Sequence, residues 1–250
     1  MKRKTFFNWR TILGLSLILA SLLIYSVEFL LFHDRRTITT YFLSDLAFVP
    51  ISVLLVTLVL DQLMQGREKQ NRFNKTNMVI GAFFSEMGNQ LLKTLASLDP
   101  ERQKMAEEFA VRQTWSESDF QSLKKISRGN QCLVTMSQTA FDDLKGLLVN
   151  HRGFMLRLLE NQTLLEHEQF TDLLWASFHL AEELTLRGNY KDLPEPDRQH
   201  LALDAKRVYL ALSEQWVDHL LHLKNTYPFL FSLAVRMNPF NHEALPIVGS

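Results

Sequence analysis

The stretches TILGLSLILASLLIYSV, residues 11–27, and YFLSDLAFVPISVLLVTLVL, residues 41–60, decide the fold of this chain. A short polar stretch, HDRRTITT at 33–40, separates them. A helix needs ~20 mostly apolar residues to cross the ~30 Å hydrocarbon layer of a membrane. Each stretch approaches this length, or reaches it when its amphipathic ends are included. We therefore predict a membrane hairpin with transmembrane helices at about 9–32 and 41–63.

The charged start of the chain is also typical of a cleaved signal peptide. However, no small-x-small cleavage site follows Val27, because the next residues are EFLL. The second apolar stretch makes an uncleaved anchor the simpler interpretation. We expect residues 1–65 to form an N-terminal membrane anchor.

Basic residues around the two stretches predict the orientation of the hairpin. Both outer flanks are rich in lysine and arginine, whereas the connecting stretch has two arginines beside one aspartate. The flanking basic residues are Lys2, Arg3, Lys4 and Arg10 before the first stretch, and Arg67, Lys69, Arg72 and Lys75 after the second. The sequence predicts a multi-pass protein of the cell membrane with both termini cytoplasmic.

The composition excludes several classes of protein. With 27 basic and 27 acidic residues the net charge is zero, so we expect no nucleic-acid partner, which would require a strongly basic face. Cys132 is the single cysteine, which excludes an intramolecular disulfide and cysteine-rich zinc sites. Glycine and proline are scarce, with 9 and 7 residues, and this favours helices over turn-rich β structure.

The remainder of the chain, residues 66–250, has apolar residues at helical spacing. The first such pattern runs to about Leu98, and it consists of Phe73, Ile80, Phe84, Met87, Leu91, Leu95 and Leu98. Further helices are predicted at about 100–113, 116–128, 138–160, 163–186 and 196–224. The apolar tail 229–235 is too short to span a bilayer, so we expect it to pack against the bundle. The fold class is therefore all-α, with a two-helix transmembrane hairpin followed by a cytoplasmic bundle of about six helices.

Local signals place the helix ends. Asp99-Pro100-Glu101 and Ser116-x-x-Asp119 are typical of helix starts, and Thr163-x-x-Glu166 resembles a capping box. The stretch 130–135 is the only one with strand-like composition, and it is too short to make a sheet.

Residues 158–184 and 222–240 resemble a group of uncharacterised integral membrane proteins of bacteria and archaea. The similarity extends over most of the chain, including the hairpin. The resemblance implies a membrane-anchored helical protein and implies no particular chemistry.

Three histidines, His151, His167 and His219, lie on apolar helix faces and are the candidate metal ligands. Facing helices of a bundle can bring such side chains together on a metal ion. The acidic residues that could add oxygen ligands are Glu168, Glu182 and Glu183. The alternative is that each histidine only hydrogen-bonds a neighbour, since no Glu-x-x-His pair is repeated on two helices.

One helix face carries a polar stripe consisting of Glu168, Asp172, Trp175, His179 and Glu183. Paired carboxylates on such a stripe are able to perform acid–base catalysis. We expect instead a solvated face on which Trp175 is partly covered.

The sequence contains no phosphate-binding glycine motif and no nucleophile elbow. We therefore predict a membrane-tethered interaction or regulatory module without catalytic activity. Its expected partners are the lipid bilayer, a second copy of the chain and an unidentified cytoplasmic protein. Two alternatives remain: a metal-dependent enzyme with its site in the bundle core, and a transmembrane signal relay through the helix that follows the second span.

Overall fold

The computed structural model describes residues 9–32, 35–129, 137–187 and 190–247. Every regular element in these ranges is a helix, which confirms the all-α fold class. The strand-like stretch 130–135, with Cys132, lies outside the described residues. The chain divides into two compact units, Met1–Glu68 and Lys69–Ser250, a few residues after the predicted boundary between anchor and bundle.

The first unit contains helix α1, Trp9–Phe32, and most of helix α2, Arg35–Phe83. Residues 35–40 of the predicted connecting loop are helical, because none of them breaks a helix. Pro50 lies inside α2 without ending it. By length and composition, one helical stretch among the described residues, Thr39–Ser97, is long and apolar enough to cross a membrane, and a shorter apolar segment lies at Leu15–Ile24.

The second unit begins within α2 and continues through a π-helical turn, Phe84–Gly88. Nine further helices follow in the described residues. They are α3 (Asn89–Ser97), α4 (Arg102–Glu108), α5 (Glu117–Gly129), α6 (Gln138–Asn150), α7 (Arg152–Leu159), α8 (Gln162–Leu165), α9 (Glu168–Leu186), α10 (Glu195–Thr226) and α11 (Pro228–Arg236).

The helix starts follow from local hydrogen bonds. The main-chain N–H of Ser116 donates to Oδ2 of Asp119 at 2.7 Å, and this is the predicted capping interaction at the start of α5. The predicted start at Thr163 is different: Asn161 accepts from the N–H of Thr163 and caps the short α8. His167 then caps α9, because its Nδ1 accepts from the N–H of Phe170 at 3.2 Å.

Helix α10 forms the centre of the second unit. It packs against α3, α5, α9 and α11, and its largest side chains, Tyr209 and Trp216, are 0% and 1% exposed. Helix α11 contains most of the apolar tail, and Phe231 is buried while Phe229 is 71% exposed. The tail therefore packs on the bundle as predicted, although one of its aromatic rings faces outward.

The π-turn depends on a glycine at its end. A Cβ atom added to Gly88 would lie 2.7 Å from Cε1 of Phe83 and 2.9 Å from Cδ1 of Phe84. Both rings are fully buried, and the Phe83 ring packs edge-on against Phe170 at a centroid distance of 5.1 Å. Neither ring can yield without disturbing the core.

The substitution Gly88→Ala should therefore lower the free energy of unfolding by about 1–3 kcal/mol, as overpacking does in other cores. Gly146→Ala is the matched control, because nothing lies within 4 Å of the added Cβ in α6. It should be neutral or stabilising by up to about 1 kcal/mol. Chemical denaturation of both variants measures the difference, and equal stabilities would show that the π-turn tolerates a side chain.

Candidate metal centre

Helices α9 and α10 pack side by side in antiparallel orientation. Three cross-helix contacts give the register: Gln169 with Gln215 at 3.4 Å, His179 with Asp204 at 3.3 Å, and Arg187 with Asp197 at 2.6 Å. Residue numbers rise along α9 as they fall along α10, so any residue on one helix has a predictable neighbour on the other.

Each of the two helices contributes a histidine and a carboxylate four residues apart. His179 and Glu183 lie one turn apart on α9, and His200 and Asp204 lie one turn apart on α10. Because the helices are antiparallel, each histidine faces the carboxylate of the other helix. The Nε2 atoms of His179 and His200 lie 3.3 Å and 3.4 Å from Oδ2 of Asp204.

Glu183 completes the group. One of its carboxylate oxygens lies 3.6 Å from Nε2 of His200, and the other lies 4.0 Å from Nε2 of His179. The ligand atoms of His179, Glu183 and His200 all lie within 4.8 Å of one another. Within the described residues, these three make up the one group of three or more such side chains with this spacing.

Asp204 is the buried member of the group, with 2% of its surface exposed. Its Oδ1 accepts a hydrogen bond from Arg207 at 2.7 Å. Its Oδ2 is shielded from solvent and accepts no hydrogen bond from the described residues, although two imidazole nitrogens are close to it. A buried carboxylate oxygen without a partner is costly. A cation between this oxygen and the two imidazoles would remove that cost.

The spacing agrees with a transition-metal ion. Zinc bonds histidine nitrogen and carboxylate oxygen at ~2.0–2.1 Å in tetrahedral geometry, so neighbouring ligand atoms lie about 3.3–3.4 Å apart. The two contacts of Asp204 have this separation, and the nearer contact of Glu183 is slightly longer at 3.6 Å. Two imidazoles and two carboxylates suit zinc and also manganese, iron and cobalt.

Arg187 holds one of the carboxylates in its ionised form. It donates to the side chain and to the main-chain carbonyl of Glu183, and it binds both oxygens of Asp197. These hydrogen bonds lower the pKa of Glu183 and of Asp197 below their ordinary values. Since a metal ion binds the ionised carboxylate, Arg187 prepares Glu183 for binding near neutral pH.

The group opens to solvent on the side of the imidazoles. The side chains of His179 and His200 are 45% and 49% exposed, whereas that of Asp204 is 3% exposed. An ion bound here would contact Asp204 on its buried side and would be open to water on the other side. Such an arrangement allows the ion to enter and leave without unfolding of the bundle.

The three histidines predicted from the sequence have other environments. His151 lies between α6 and α7, and its Nδ1 contacts the carbonyl of Leu147 at 2.8 Å. His167 is the N-cap of α9. His219 stacks on Phe84 at a centroid distance of 4.9 Å. Within the described part of the chain, none of the three belongs to a group of closely spaced metal-ligating atoms.

His179 and Glu183 were expected on a solvated stripe, Glu183 was also named as a possible oxygen ligand, and His200 and Asp204 were not considered. Trp175 on this stripe was expected to be partly covered, but it is 59% exposed. The missed signal is the repetition of His-x-x-x-acid in two consecutive helices, His179 to Glu183 and His200 to Asp204. Only the eight residues 187–194 separate α9 from α10 in the sequence. A connection of this length favours antiparallel neighbours, and the two pairs then meet.

His219 gives a prediction about acid stability. Burial, with a smaller contribution from His222, lowers the pKa of His219 from 6.5 to about 4. In the folded state the His219 imidazole therefore stays neutral, whereas in the unfolded state it takes up a proton below pH 6.5. The stability that is present above pH 6.5 is lost as the pH falls to about 4. The loss should be about 3 kcal/mol.

The variant His219→Phe keeps a ring against Phe84 and removes the titrating group. Its free energy of unfolding should fall less than that of the wild type between pH 7 and pH 4, by about 3 kcal/mol. Urea denaturation at both pH values measures this, and the carboxylates common to both proteins cancel in the difference. Parallel curves would mean that His219 is protonated in the folded state.

Comparison with known proteins identifies relatives over nearly the whole chain. Residues 72–236 match the family model "Uncharacterized protein MJ1433, C-terminal helical domain", and residues 2–64 match "MJ1433, N-terminal helical domain". "Uncharacterized protein MJ1433" of Methanocaldococcus jannaschii is 41% identical over 240 residues, which cover 96% of each chain. No solved structure gives a significant match. The chain therefore belongs to the MJ1433 family, whose members combine an N-terminal and a C-terminal helical domain.

Proposed function

We propose that this protein is a membrane-anchored helical module that binds one divalent transition-metal ion through His179, His200, Asp204 and Glu183. The observation that carries the proposal is the buried Oδ2 of Asp204, which accepts no hydrogen bond from the described residues and lies within 3.4 Å of two imidazole nitrogens. Protonated histidines would also attract this carboxylate.

The exposed apolar surface of the first unit supports the membrane anchor. Large apolar side chains between residues 15 and 64 are 49–68% exposed, far more than a water-soluble surface carries in one patch. The most apolar window of the candidate span has a mean hydropathy of 2.3, and none of it is buried. Lipid would cover these side chains, and the flanking lysines and arginines favour cytoplasmic termini.

A regulatory role suits the position of the proposed ion. The ion would join α9 and α10, which pack together extensively. Its binding would therefore stabilise the pairing of these helices through mass action. We propose that the metal-loaded unit presents a fixed surface to a second copy or to a cytoplasmic protein partner, without catalysis.

The exposure of both imidazoles favours a second candidate function, a metal-dependent hydrolytic enzyme. In this alternative only His179, His200 and Asp204 bind the ion, since Glu183 has the longest contacts of the group. Three protein ligands leave a position for water, whose pKa the metal lowers. Turnover of an ester or phosphoester substrate by the zinc-loaded protein, lost on substitution of His200, would favour this function over the regulatory one.

Equilibrium dialysis of the purified full-length chain against Zn²⁺, after treatment with a chelator, tests metal binding. The wild type should bind about one ion per chain. His179→Gln and His200→Gln should each weaken binding by about 100-fold or more, since loss of even an outlying partner of a metal ligand costs 10–100-fold.

Substitution of the sequence-predicted ligands provides the matched controls. His151→Gln, His167→Gln and His219→Gln should keep the affinity of the wild type. The proposed centre would be rejected if the His179 and His200 variants still bind Zn²⁺ and any of these three variants loses it. The metal would then bind at the histidines predicted from the sequence.

The proposed topology can be tested by cysteine labelling, because Cys132→Ser leaves a chain without cysteine. In this background, Thr37→Cys should react with a membrane-impermeant maleimide on intact cells. Ser250→Cys should react only after the cells are permeabilised. The opposite pattern would invert the hairpin, and labelling of both sites in intact cells would rule out cytoplasmic termini.

A further inference from the structure

A cavity lies within the second unit, at the end of α10 opposite to the proposed metal centre. The end of α2, the π-turn and α3 line one side, and the end of α10, α11 and the residues after it line the other. Its volume is about 650 Å³, within the ~300–1,000 Å³ typical of small-molecule sites. None of the four proposed metal ligands lines it.

The two sides of this cavity differ in chemistry. The side formed by α10 and α11 is mainly apolar, and Leu230, Leu233 and Met237 remain 40–42% exposed there. The opposite side carries polar residues, which are Asn77, Ser85, Asn89, Gln90 and Lys93. A ligand that satisfies both sides has a long apolar body and a polar end.

The charge of the cavity lining indicates whether the polar end of the ligand is anionic or cationic. Lys93 lines the cavity, and no aspartate or glutamate does so among the described residues. Burial lowers the pKa of both lining histidines, His219 and His222, so they are neutral near pH 7. The lining therefore has one positive charge, which attracts an anion.

The environment of His219 is a second reason, independent of the charge of the lining, to expect a ligand in this cavity. The side chain is 8% exposed, and its Nδ1 has no hydrogen-bond partner among the described residues. Its ring lines the cavity and stacks on Phe84, the first residue of the π-turn. Buried polar atoms without partners are rare, and π-helical turns occur frequently at functional sites.

We propose that this cavity binds a long-chain fatty acid, with the alkyl chain along the apolar side and the carboxylate at Lys93. An apolar chain would cover the exposed side chains of α11. The carboxylate would pair with the one formal charge in the lining. The site is separate from the metal centre, and its test does not depend on metal binding.

Photocrosslinking of the full-length chain in dodecyl maltoside micelles tests the proposal. The probe is a hexadecanoic acid with a diazirine on its chain, and mass spectrometry of peptides locates the modified residues. We expect modification within 77–93 or 219–244, competed by palmitic acid. Methyl palmitate, which lacks the charge, should compete about tenfold less well, since it cannot form a charged hydrogen bond with Lys93.

Two variants fill the cavity from α11. Ala234→Trp and Leu230→Trp should each abolish modification at these peptides, and either one suffices if the other fails to fold by circular dichroism. Leu165→Trp is the matched control, because Leu165 is exposed on α8 and does not line the cavity. Lys93→Gln should reduce modification about tenfold, whereas Lys125→Gln should leave it unchanged.

Modification that spreads over α1 and the first part of α2, or that persists in both tryptophan variants, would overturn the proposal. Equal competition by palmitic acid and its methyl ester would overturn the assignment of a carboxylate at Lys93.

Discussion

The antiparallel pairing of α9 with α10 is the constraint on which the second unit depends. Its register places Arg187, at the end of α9, against Asp197, in the first turn of α10. This ion pair is favoured further by the helix dipoles, because an acidic group lies near an N-terminus and a basic group near a C-terminus. The same register places His179 opposite Asp204 and Glu183 opposite His200.

The pairing of α9 with α10 matters chemically because it buries the carboxylate of Asp204 beside two imidazoles. A carboxylate with 2% exposure would destabilise the bundle if it lacked compensation. Arg207 satisfies one oxygen, and the proposed ion satisfies the other. Because α10 also lines the proposed fatty-acid cavity with His219, His222 and Leu223, a single helix links the two proposed sites. Whether an ion at one site alters binding at the other then depends on the rigidity of α10.

The sequence predicted the helices well where one local signal was sufficient. The bounds of α1 and the capping interaction at Ser116 follow from hydropathy and from side-chain chemistry. The interruption at His151 and the π-turn at Phe84 were missed, because neither histidine nor phenylalanine is a strong helix-breaking residue. The proposed metal centre was not predicted, because a His-x-x-x-Glu pair on one helix resembles a solvated face until the antiparallel register supplies its counterpart.

X-ray absorption at the zinc K-edge of the zinc-loaded, full-length protein tests the central claim most directly. A centre built by α9 and α10 should give nitrogen and oxygen neighbours at about 2.0–2.1 Å, the outer-shell scattering of two imidazole rings, and no sulfur. A sulfur neighbour at about 2.3 Å would implicate Cys132, and scattering by water oxygens alone would indicate an ion outside the protein. Either result would contradict a centre built by α9 and α10.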